Sequence, residues 1–245
     1  MIDRAVELLS SVPKVLVFTG AGMSTASGIP DFRGPDGVWN RVDPSEFTLQ
    51  KFIDNPDTRK RSWEMRNKSA LTALPNAAHL AIAEMWSKGR LTACATQNVD
   101  GLHQRAGLPD ELVVEVHGSA LRCRCLGCTE TWPTTEILDR VAGGDADPHC
   151  EHCGSIIKPA VISFGEQMPM TAMEQAFAAA NECGAVISAG STLGVYPAVD
   201  IPLQAVRRGV PYIVVNQGET AHDDIADVLI SGDVTRVLPA IVKRM

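Results

Sequence analysis

Five short runs of apolar, largely β-branched residues recur along this chain, and each ends in a turn with glycine, asparagine or another polar residue. The runs span residues 14–19, 91–95, 112–116, 185–189 and 211–215. Strands that are apolar along their whole length are typical of a parallel sheet covered on both faces. Segments with helical periodicity, such as 76–86 and 170–180, lie between them. This alternation predicts a doubly wound, Rossmann-like α/β fold.

The turns after these runs indicate where a ligand binds. In a doubly wound sheet, ligands bind beyond the carboxyl ends of the strands. The turns are Gly20-Ala21-Gly22, Gln97-Asn98-Val99-Asp100, His117-Gly118, Gly190-Ser191-Thr192 and Asn216-Gln217-Gly218. We therefore expect the site at this edge of the sheet.

The glycine loop Gly20-Ala21-Gly22 allows a backbone to approach a phosphate closely. The full dinucleotide fingerprint fails, however, because Thr25 occupies the position of its third glycine and no acidic residue ends a second strand about twenty residues on. A hydride-transferring dehydrogenase is therefore disfavoured, while a variant nucleotide site is consistent with the other polar turns.

Four cysteines form two C-x-x-C pairs, Cys125/Cys128 and Cys150/Cys153. Pairs at about this separation predict a tetrahedral zinc ion bound by four thiolates. Because four protein ligands leave no open coordination position, the metal is expected to be structural. Cys123 and His152 are possible substitute ligands.

Two stretches interrupt the α/β alternation. Residues 35–74 are predicted to form a loop-helix insertion, and residues 119–158 a small zinc-binding lobe. We expect residues 1–118 and 159–245 to form the Rossmann-like domain into which both are inserted.

Composition excludes several classes of protein. A net charge of −7 over 245 residues argues against a protein that tracks nucleic-acid phosphates. No apolar run approaches the roughly 18 residues of a membrane span, and residues 1–12 read as an amphipathic helix rather than a signal peptide. Seven cysteines, an odd number, favour a reducing compartment. We expect a cytoplasmic monomer that binds neither nucleic acid nor membrane.

A set of ordered motifs resembles the sirtuin (Sir2) family of NAD-dependent protein deacylases. The motifs are Gly20-Ala21-Gly22-Met23-Ser24, Gly28-Ile29-Pro30-Asp31-Phe32-Arg33, Gln97-Asn98-Val99-Asp100, His117-Gly118, the paired C-x-x-C, Phe164-Gly165-Glu166, Gly190-Ser191-Thr192, Val215-Asn216 and Asp233-Val234. The resemblance runs from about Val15 to Val234. Ser163, where large apolar residues are common, and Thr192, where serine is usual, depart from the pattern and bear on selectivity.

The resemblance implies a reaction in which an acyl-lysine oxygen attacks the nicotinamide ribose of NAD⁺ and the acyl group passes to ADP-ribose. His117 is then the general base, a role that an unperturbed pKa near ~6.5 suits. Asn98 is the second residue expected at the catalytic centre, and Asn98 and Asp100 are expected to bind the nicotinamide carboxamide. Phe32 is expected to shield the ribose from water.

The resemblance also implies the remaining contacts. The cofactor residues are Gly20, Ala21, Gly22, Ile29, Asp31, Phe32, Arg33, Gln97, Asn98, Val99, Asp100, Gly190, Ser191, Thr192, Asn216, Gln217, Gly218, Asp233 and Val234. The substrate residues are Ile162, Phe164, Gly165 and Glu166, and an acyl-lysine protein is the partner. The backbone of this last segment is expected to pair with an extended peptide.

Other functions stay open at this point. A protein mono-ADP-ribosyltransferase uses the same first step, and a non-catalytic NAD- or ADP-ribose-binding module with structural zinc needs no base. Desuccinylation or demalonylation follows if Arg66 binds an acyl carboxylate, as in sirtuins with a Tyr-x-x-Arg pair; here Trp63 replaces the tyrosine. We expect deacetylation to exceed desuccinylation.

Structural roles are the competing interpretation for several residues. His117 could cap a strand end, Asp100 could cap a helix, and Asn98 could form an Asx-turn. His79 and His103 are expected to be structural. A solvated basic helix face is expected to contain Arg59, Lys60, Arg61, Arg66 and Lys68. Three tryptophans are expected to pack in the core or the small lobe: Trp63, Trp86 and Trp132.

Overall fold

The structure, a computed structural model of the chain, describes residues 1–35, 37–66 and 69–245, with backbone only for 69 and 70. Lys68, assigned above to a basic helix face, lies outside the described residues. None of the helices in these ranges has both the length and the apolar composition needed to cross a bilayer.

Helices and strands alternate along most of the chain. In chain order they are α1 (Ile2–Ser10), β1 (Val15–Thr19), α2 (Leu49–Asp54), α3 (Pro56–Met65), α4 (Ser69–Thr72), α5 (Ala77–Ser87), β2 (Leu91–Thr96), α6 (Leu102–Arg105), β3 (Val113–Glu115), β4 (Gly118–Cys125), β5 (Thr131–Pro133), α7 (Thr134–Ala142), β6 (Ile157–Val161), α8 (Met170–Glu182), β7 (Ala185–Ala189), α9 (Asp200–Val206), β8 (Tyr212–Asn216), β9 (Val228–Ser231) and α10 (Val234–Val242).

The main sheet has six parallel strands in the order β3-β2-β1-β7-β8-β9. The chain builds outward from β1 to β3 and then returns to β7 beside β1, so the order reverses between β1 and β7. This confirms the predicted α/β fold. The sixth strand, β9, was not predicted, and at four residues it is a weak signal in the sequence.

Both faces of this sheet are buried. Val15 and Val17 of β1 pack in one apolar cluster with α1, α5 and α10, while Leu16 and Phe18 pack in another with α8 and α9. Successive side chains of a strand point to opposite faces, so a strand buried on both faces is apolar at most of its positions. Burial on both faces therefore explains the short apolar runs from which five of these strands were predicted.

A second, antiparallel sheet has the order β5-β4-β6. Its core contains Trp63, which comes from α3 and is 1% exposed, together with Cys123, Ile137 and Ile157. The loop-helix stretch and the cysteine-rich stretch therefore share an apolar core. The domain boundaries predicted for these stretches stay a prediction.

The predicted basic face on α3 is wrong for Arg59. This residue is 5% exposed, and its Nε and Nη2 atoms donate hydrogen bonds of 2.7 and 2.6 Å to the carboxylate of Asp147. Its Nη1 atom donates to the carbonyl oxygens of Phe52 and Ile53. A buried guanidinium requires such pairing, which a sequence pattern of repeated basic residues cannot reveal.

The three tryptophans assigned to packing differ in their surroundings. Trp63 is buried in the small core and Trp132 is partly buried beside it. Trp86 is 41% exposed near the end of α5, so the packing role predicted for it is wrong.

Candidate active site

The turns after β1 and β7 are in direct backbone contact. Gly20 donates its N–H to the carbonyl oxygen of Ala189 (3.1 Å), and Gly22 donates to that of Gly190 (2.8 Å). A Cβ atom at Gly20 would lie 2.7 Å from the Cβ of Ser191, and one at Gly22 would lie 2.9 Å from the Cα of Gly190. These contacts require glycine whatever ligand binds, and they join two turns predicted separately from the sequence.

A side-chain bridge connects the turn after β2 to the turn after β7. Gln97 donates its backbone N–H to the carbonyl oxygen of Thr19 (3.0 Å), and its Nε2 atom donates to Ser191 Oγ (2.9 Å). Ser191 Oγ also accepts from the N–H of Leu193 (3.1 Å). Three neighbouring strand ends thus form one continuous surface.

Asn98 and Asp100 are both buried and share Ser24 as a partner. Asn98 Nδ2 donates to the carbonyl oxygen of Gly20 (3.0 Å) and to Ser24 Oγ (3.2 Å), which fixes the amide with Oδ1 as its acceptor. Ser24 Oγ donates to Asp100 Oδ2 (2.7 Å), and Asp100 Oδ1 accepts from the N–H of Leu102 (2.9 Å). The second bond satisfies the first N–H of α6, as a helix cap would, although the N-cap position is Gly101 and Asp100 precedes it.

Ser24 is a site residue that the sequence reasoning missed. Ser24 is 1% exposed, and its hydroxyl contacts both Asn98 and Asp100. The available signal was its hydroxyl, two residues after Gly22 in a loop that must fold back on the sheet.

His117 follows β3, and its tautomer is set by the backbone of the neighbouring turn. Its Nδ1 atom lies 3.1 Å from the carbonyl oxygen of Gln97. A carbonyl can only accept, so Nδ1 carries the proton and Nε2 keeps its lone pair. Burial lowers the pKa of His117 below its usual value, against the opposing effect of the Gln97 bond. The imidazole is therefore neutral near pH 7 with Nε2 available as a base.

The chain direction after His117 depends on Gly118. This residue has a φ of +74°, and a Cβ atom there would lie 2.0 Å from the carbonyl oxygen of Ala160. The carbonyl oxygen of His117 accepts from the N–H of Ile162 (2.8 Å), so the strand end after β6 lies beside the histidine. Val99, also predicted as a cofactor residue, uses its carbonyl oxygen to accept from the N–H of Ala120 (2.7 Å).

The loop after Gly28 closes on itself. Asp31 Oδ1 accepts from the N–H of Gly34 (2.9 Å), and the carbonyl oxygen of Asp31 accepts from the N–H of Val38 (2.9 Å). Phe32 is 42% exposed, and Arg33 is also exposed. Ala21 and Ile29 are half-buried at the start of the loop. Phe32 and Arg33 thus point outward from a compact turn.

The remaining cofactor candidates lie after β7, β8 and β9. Asn216 Nδ2 donates to the carbonyl oxygen of Gly218 (2.8 Å), and the carbonyl oxygen of Gln217 accepts from Ser231 Oγ (3.3 Å). The carbonyl oxygen of Thr192 accepts from the N–H of Ala221 (3.0 Å). Asp233 caps α10, accepting from Thr235 N–H at 2.8 Å, and Val234 is buried. The Asp233 carboxylate is engaged within the protein.

The predicted substrate segment is already paired on one side. Phe164 donates its N–H to the carbonyl oxygen of Phe47 (3.0 Å) and accepts from the N–H of Leu49 (3.0 Å). Glu166 does not face outward, because its carboxylate binds Arg124, Lys158 (2.8 Å) and the N–H of Ser163 (2.9 Å). The Glu166 carboxylate braces the segment that contains Ile162, Phe164 and Gly165, and its own contact with substrate stays a prediction.

The four predicted metal ligands converge. The sulfur atoms of Cys125, Cys128, Cys150 and Cys153 all lie within 4.8 Å of one another. The Cys125–Cys153 and Cys128–Cys150 separations are 3.4 and 3.7 Å, close to the roughly 3.8 Å between thiolates around a tetrahedral zinc with Zn–S bonds of ~2.3 Å. The donor set therefore fits zinc.

Neither substitute ligand belongs to this group. Cys123 is buried with its sulfur 3.4 Å from Thr134 Oγ1, and His152 is exposed outside the four-cysteine group. Cys123 and Cys125 lie on the same face of β4, and the structure confirms the choice of Cys125 that the C-x-x-C spacing indicated.

Comparisons with known proteins agree with this arrangement. The family model described as "Sir2 family" matches residues 20–197. NAD-dependent protein deacetylase 2 of Streptomyces coelicolor is 40% identical, covering 96% of this chain and 99% of its own. NAD-dependent protein deacylase 2 of Archaeoglobus fulgidus is 43% identical, covering 100% of this chain and 96% of its own.

Two solved structures are similar over nearly the whole chain. One is a Sir2 variant with a deacetylated peptide and 3′-O-acetyl ADP-ribose, at TM-score 0.93 and 34% identity, covering 99% of this chain and 97% of that one. The other is a Sir2 enzyme structure on the mechanism and regulation of these enzymes, at TM-score 0.90 and 42% identity, covering 99% of this chain and 96% of that one. The fold, the family model and the full-length relatives agree, and this chain belongs to the Sir2 family.

Proposed function

We propose that this protein is an NAD-dependent protein-lysine deacylase with His117 as its general base. The observation that carries the proposal is the fixed tautomer of His117, which leaves Nε2 as a proton acceptor beside the turn after β2. A module that only binds NAD would not need a neutral, oriented imidazole there. The names of the full-length relatives support the same activity.

The polar groups around Asn98 fit the nicotinamide end of NAD⁺. Asn98 Oδ1 is the acceptor of an amide whose Nδ2 is already engaged, so it is suited to a carboxamide N–H. Asp100, held by Ser24 and the N–H of Leu102, supplies negative charge behind it. We assign the glycines after β1 and β7 to the phosphates, Gln97 to the nicotinamide ribose, and Ser191, Asn216, Gly218 and Val234 to the adenosine half.

The reaction consumes one water and yields nicotinamide, deacylated lysine and O-acyl-ADP-ribose. The acyl-lysine oxygen bonds to the ribose carbon from which nicotinamide leaves, and water adds to the acyl carbon once the lysine amine has left it. His117 Nε2 takes a proton from a ribose hydroxyl, which strengthens that hydroxyl as a nucleophile toward the acyl carbon. Phe32, exposed on its loop, covers the ribose and keeps water from the ribose carbon that nicotinamide leaves.

Zinc has a structural role in this proposal. Cys125, Cys128, Cys150 and Cys153 fill all four positions of a tetrahedral site, so no position is open for substrate. The ion would join the turn after β4 to the turn before β6, and β6 leads directly into the segment beside His117.

The acylated protein would bind as an extended peptide along the segment after β6. The inner edge of Phe164 pairs with residues 47 and 49, so the chain there is already extended. Addition of a peptide strand to such a segment uses backbone hydrogen bonds and places the acyl-lysine in the cleft.

The test mixes the purified protein with NAD⁺ and an acetyl-lysine peptide, and follows nicotinamide by chromatography and both other products by mass spectrometry. We expect equal amounts of nicotinamide, deacetylated peptide and O-acetyl-ADP-ribose. The unacetylated peptide and His117→Ala are the controls. Protein that gains ADP-ribose without peptide deacetylation would identify a transferase, and NAD⁺ binding without nicotinamide release would identify a binding module.

A further inference from the structure

Four aromatic side chains connect the loop that carries Phe32 to the segment that carries Phe164. The Trp39 ring lies 4.9 Å from that of Phe32 at an interplanar angle of 39°, and 5.0 Å from that of Phe47 in an edge-on arrangement. It also lies 6.0 Å from the ring of Phe164 at 41°. All three separations are within the range of favourable aromatic pairs. We call Phe32, Trp39, Phe47 and Phe164 the aromatic bridge.

Backbone hydrogen bonds bind these rings to their segments. Trp39 donates its N–H to the carbonyl oxygen of Phe32 (3.1 Å), and a Cβ atom at Gly37 would lie 2.6 Å from that same oxygen. At the other end, Phe164 donates its N–H to the carbonyl oxygen of Phe47 (3.0 Å). These bonds hold Trp39 against the backbone of Phe32 and hold Phe164 against the backbone of Phe47.

Exposure differs between the ends and the middle of the aromatic bridge. Phe32 and Phe164 are 42% and 48% exposed, whereas Trp39 and Phe47 are half-buried. An exposed aromatic ring at each end leaves apolar surface for a ligand to cover. In the proposed function, Phe32 meets the cofactor ribose and Phe164 meets the peptide. Trp39 therefore contacts both the ring that faces the cofactor and the ring that faces the peptide.

We propose that Trp39 is a positioning residue that couples peptide binding at Phe164 to placement of Phe32 over the cofactor, an inference that rests on the proposed function. Coupling between two binding sites is reciprocal, so the peptide strengthens NAD⁺ binding by the same factor by which NAD⁺ strengthens peptide binding. Trp39 supplies the contact between the two sites, because its ring packs on Phe32 and on Phe164 at the same time.

The consequence for chemistry is a choice of nucleophile. With Phe32 in place, the acyl oxygen reaches the ribose carbon. With Phe32 displaced, water reaches it instead, and NAD⁺ plus water gives ADP-ribose, nicotinamide and a proton. Loss of the Trp39 contact is thus expected to raise the ratio of nicotinamide released to lysine deacylated, a quantity that a general loss of stability does not change.

The experiment measures this ratio and the KM for NAD⁺ at saturating acetyl-lysine peptide for wild type, Trp39→Phe, Trp39→Leu and Trp39→Ala. Trp86→Ala, which removes an exposed tryptophan of α5, is the matched control. For Trp39→Ala and Trp39→Leu we expect the KM for NAD⁺ to rise about three- to tenfold, the size of one or two aromatic pairs. We also expect the nicotinamide-to-deacylation ratio to exceed that of wild type, with Trp39→Phe intermediate and Trp86→Ala unchanged.

Folding is checked by melting temperature and zinc content. Trp39→Leu keeps more apolar volume than Trp39→Ala, which leaves a cavity, and Phe164→Ala probes the same coupling at an exposed ring. An unfolded Trp39→Ala therefore still leaves Trp39→Leu, Trp39→Phe and Phe164→Ala as informative variants. The double variant Trp39→Leu, Phe164→Ala is expected to resemble the stronger of its two single variants, because each substitution alone already removes the same coupling.

Two failures are distinguishable. A wild-type protein that releases no nicotinamide with NAD⁺ and peptide overturns the proposed function. An active wild type, together with folded Trp39 variants that keep the wild-type ratio and KM for NAD⁺, overturns the coupling role alone.

Discussion

The Nδ1 atom of His117 lies 3.1 Å from the carbonyl oxygen of Gln97, a backbone group in the turn whose side chains are assigned to the cofactor. The side chain of Gln97 also donates a hydrogen bond to Ser191 Oγ. One residue therefore orients the proposed base and connects the strand ends on either side of β1.

His117→Ala is expected to keep the fold and the zinc while lowering deacylation by about 10²- to 10⁴-fold, the usual effect of removing a general base. Steady-state deacetylation with a mass-spectrometric readout measures it. His149→Ala, at an exposed histidine of the small lobe, is the matched control and is expected to keep wild-type turnover. Near wild-type turnover of folded His117→Ala would remove His117 from the mechanism.

The pH profile follows from the same residue. Burial lowers the pKa of His117, and only the neutral form accepts a proton, so activity is expected to rise with pH through a midpoint below the ordinary ~6.5. Measurement of kcat/KM from pH 5 to 8, on protein that retains its one zinc over this range, tests this. An acid-side midpoint above 7 would contradict the assigned environment.

The zinc site is expected to hold one equivalent of metal that stabilises the fold. The double variant Cys150→Ser, Cys153→Ser removes two of four ligands, so zinc content and melting temperature should both fall. Cys94→Ala changes a buried cysteine outside this group and should retain one zinc. Metal-free protein on fresh purification, or full activity of a stable double variant, would refute the assignment.

Asp100→Asn separates the cofactor role from the helix cap. Asparagine keeps an oxygen for the N–H of Leu102, so the cap survives while the negative charge is lost. We expect the KM for NAD⁺ to rise about tenfold or more and inhibition by nicotinamide to weaken, since a buried hydrogen bond to a charged group contributes about 1.5–3 kcal/mol. Asp43→Asn, at a capping carboxylate elsewhere, controls for the substitution. Unchanged KM and inhibition would leave Asp100 a cap alone.

Arg59→Met tests the contact between α3 and the loop before Cys150. It removes the two bonds to Asp147 and the donors to Phe52 and Ile53, so we expect a loss of about 3 kcal/mol in the free energy of unfolding. Arg61→Met removes an ion pair of a half-exposed arginine with Glu46, which solvent screens, and should cost much less than Arg59→Met. Urea denaturation of both variants measures the difference, and equal losses would contradict the buried pairing.

Arg66 determines the last prediction, on the acyl group. Its Nε atom is buried without a hydrogen-bond partner among the described residues, and burial lowers its pKa to about 10. Trp63 is 1% exposed in the small core, and its indole N–H is buried there rather than presented at the surface to a carboxylate. We expect kcat/KM for acetyl and butyryl peptides to exceed that for the succinyl peptide at least tenfold.

Arg66→Met is expected to leave the weak succinyl activity unchanged. A succinyl preference that this variant abolishes would instead make Arg66 the residue that binds the acyl carboxylate, because a guanidinium pairs with carboxylate where methionine does not. Lys60→Met, at an exposed residue of α3, is the control for loss of positive charge.

The sequence by itself determined the parallel sheet, the edge at which polar turns collect and the four metal ligands. Each is encoded locally: a strand buried on both faces is apolar at most of its positions, and a C-x-x-C pair already presents two thiolates. The resemblance of short motifs then supplied the family, which the comparisons confirm. The residue roles taken from that resemblance stay predictions.

Only the tertiary structure decided which groups meet. Gly22 and Gly190 require each other as glycine, Ser24 joins Asn98 to Asp100, and Arg59 is buried against Asp147, although none of these partners is close in sequence. His79 and His103 are likewise buried with their rings 4.9 Å apart, the structural role that was expected, with pKa values lowered by burial to about 4 and about 3. Periodicity and motif spacing report which face a residue occupies, but the partner on that face depends on how distant elements pack, and hydrogen bonds and pKa values follow from that packing.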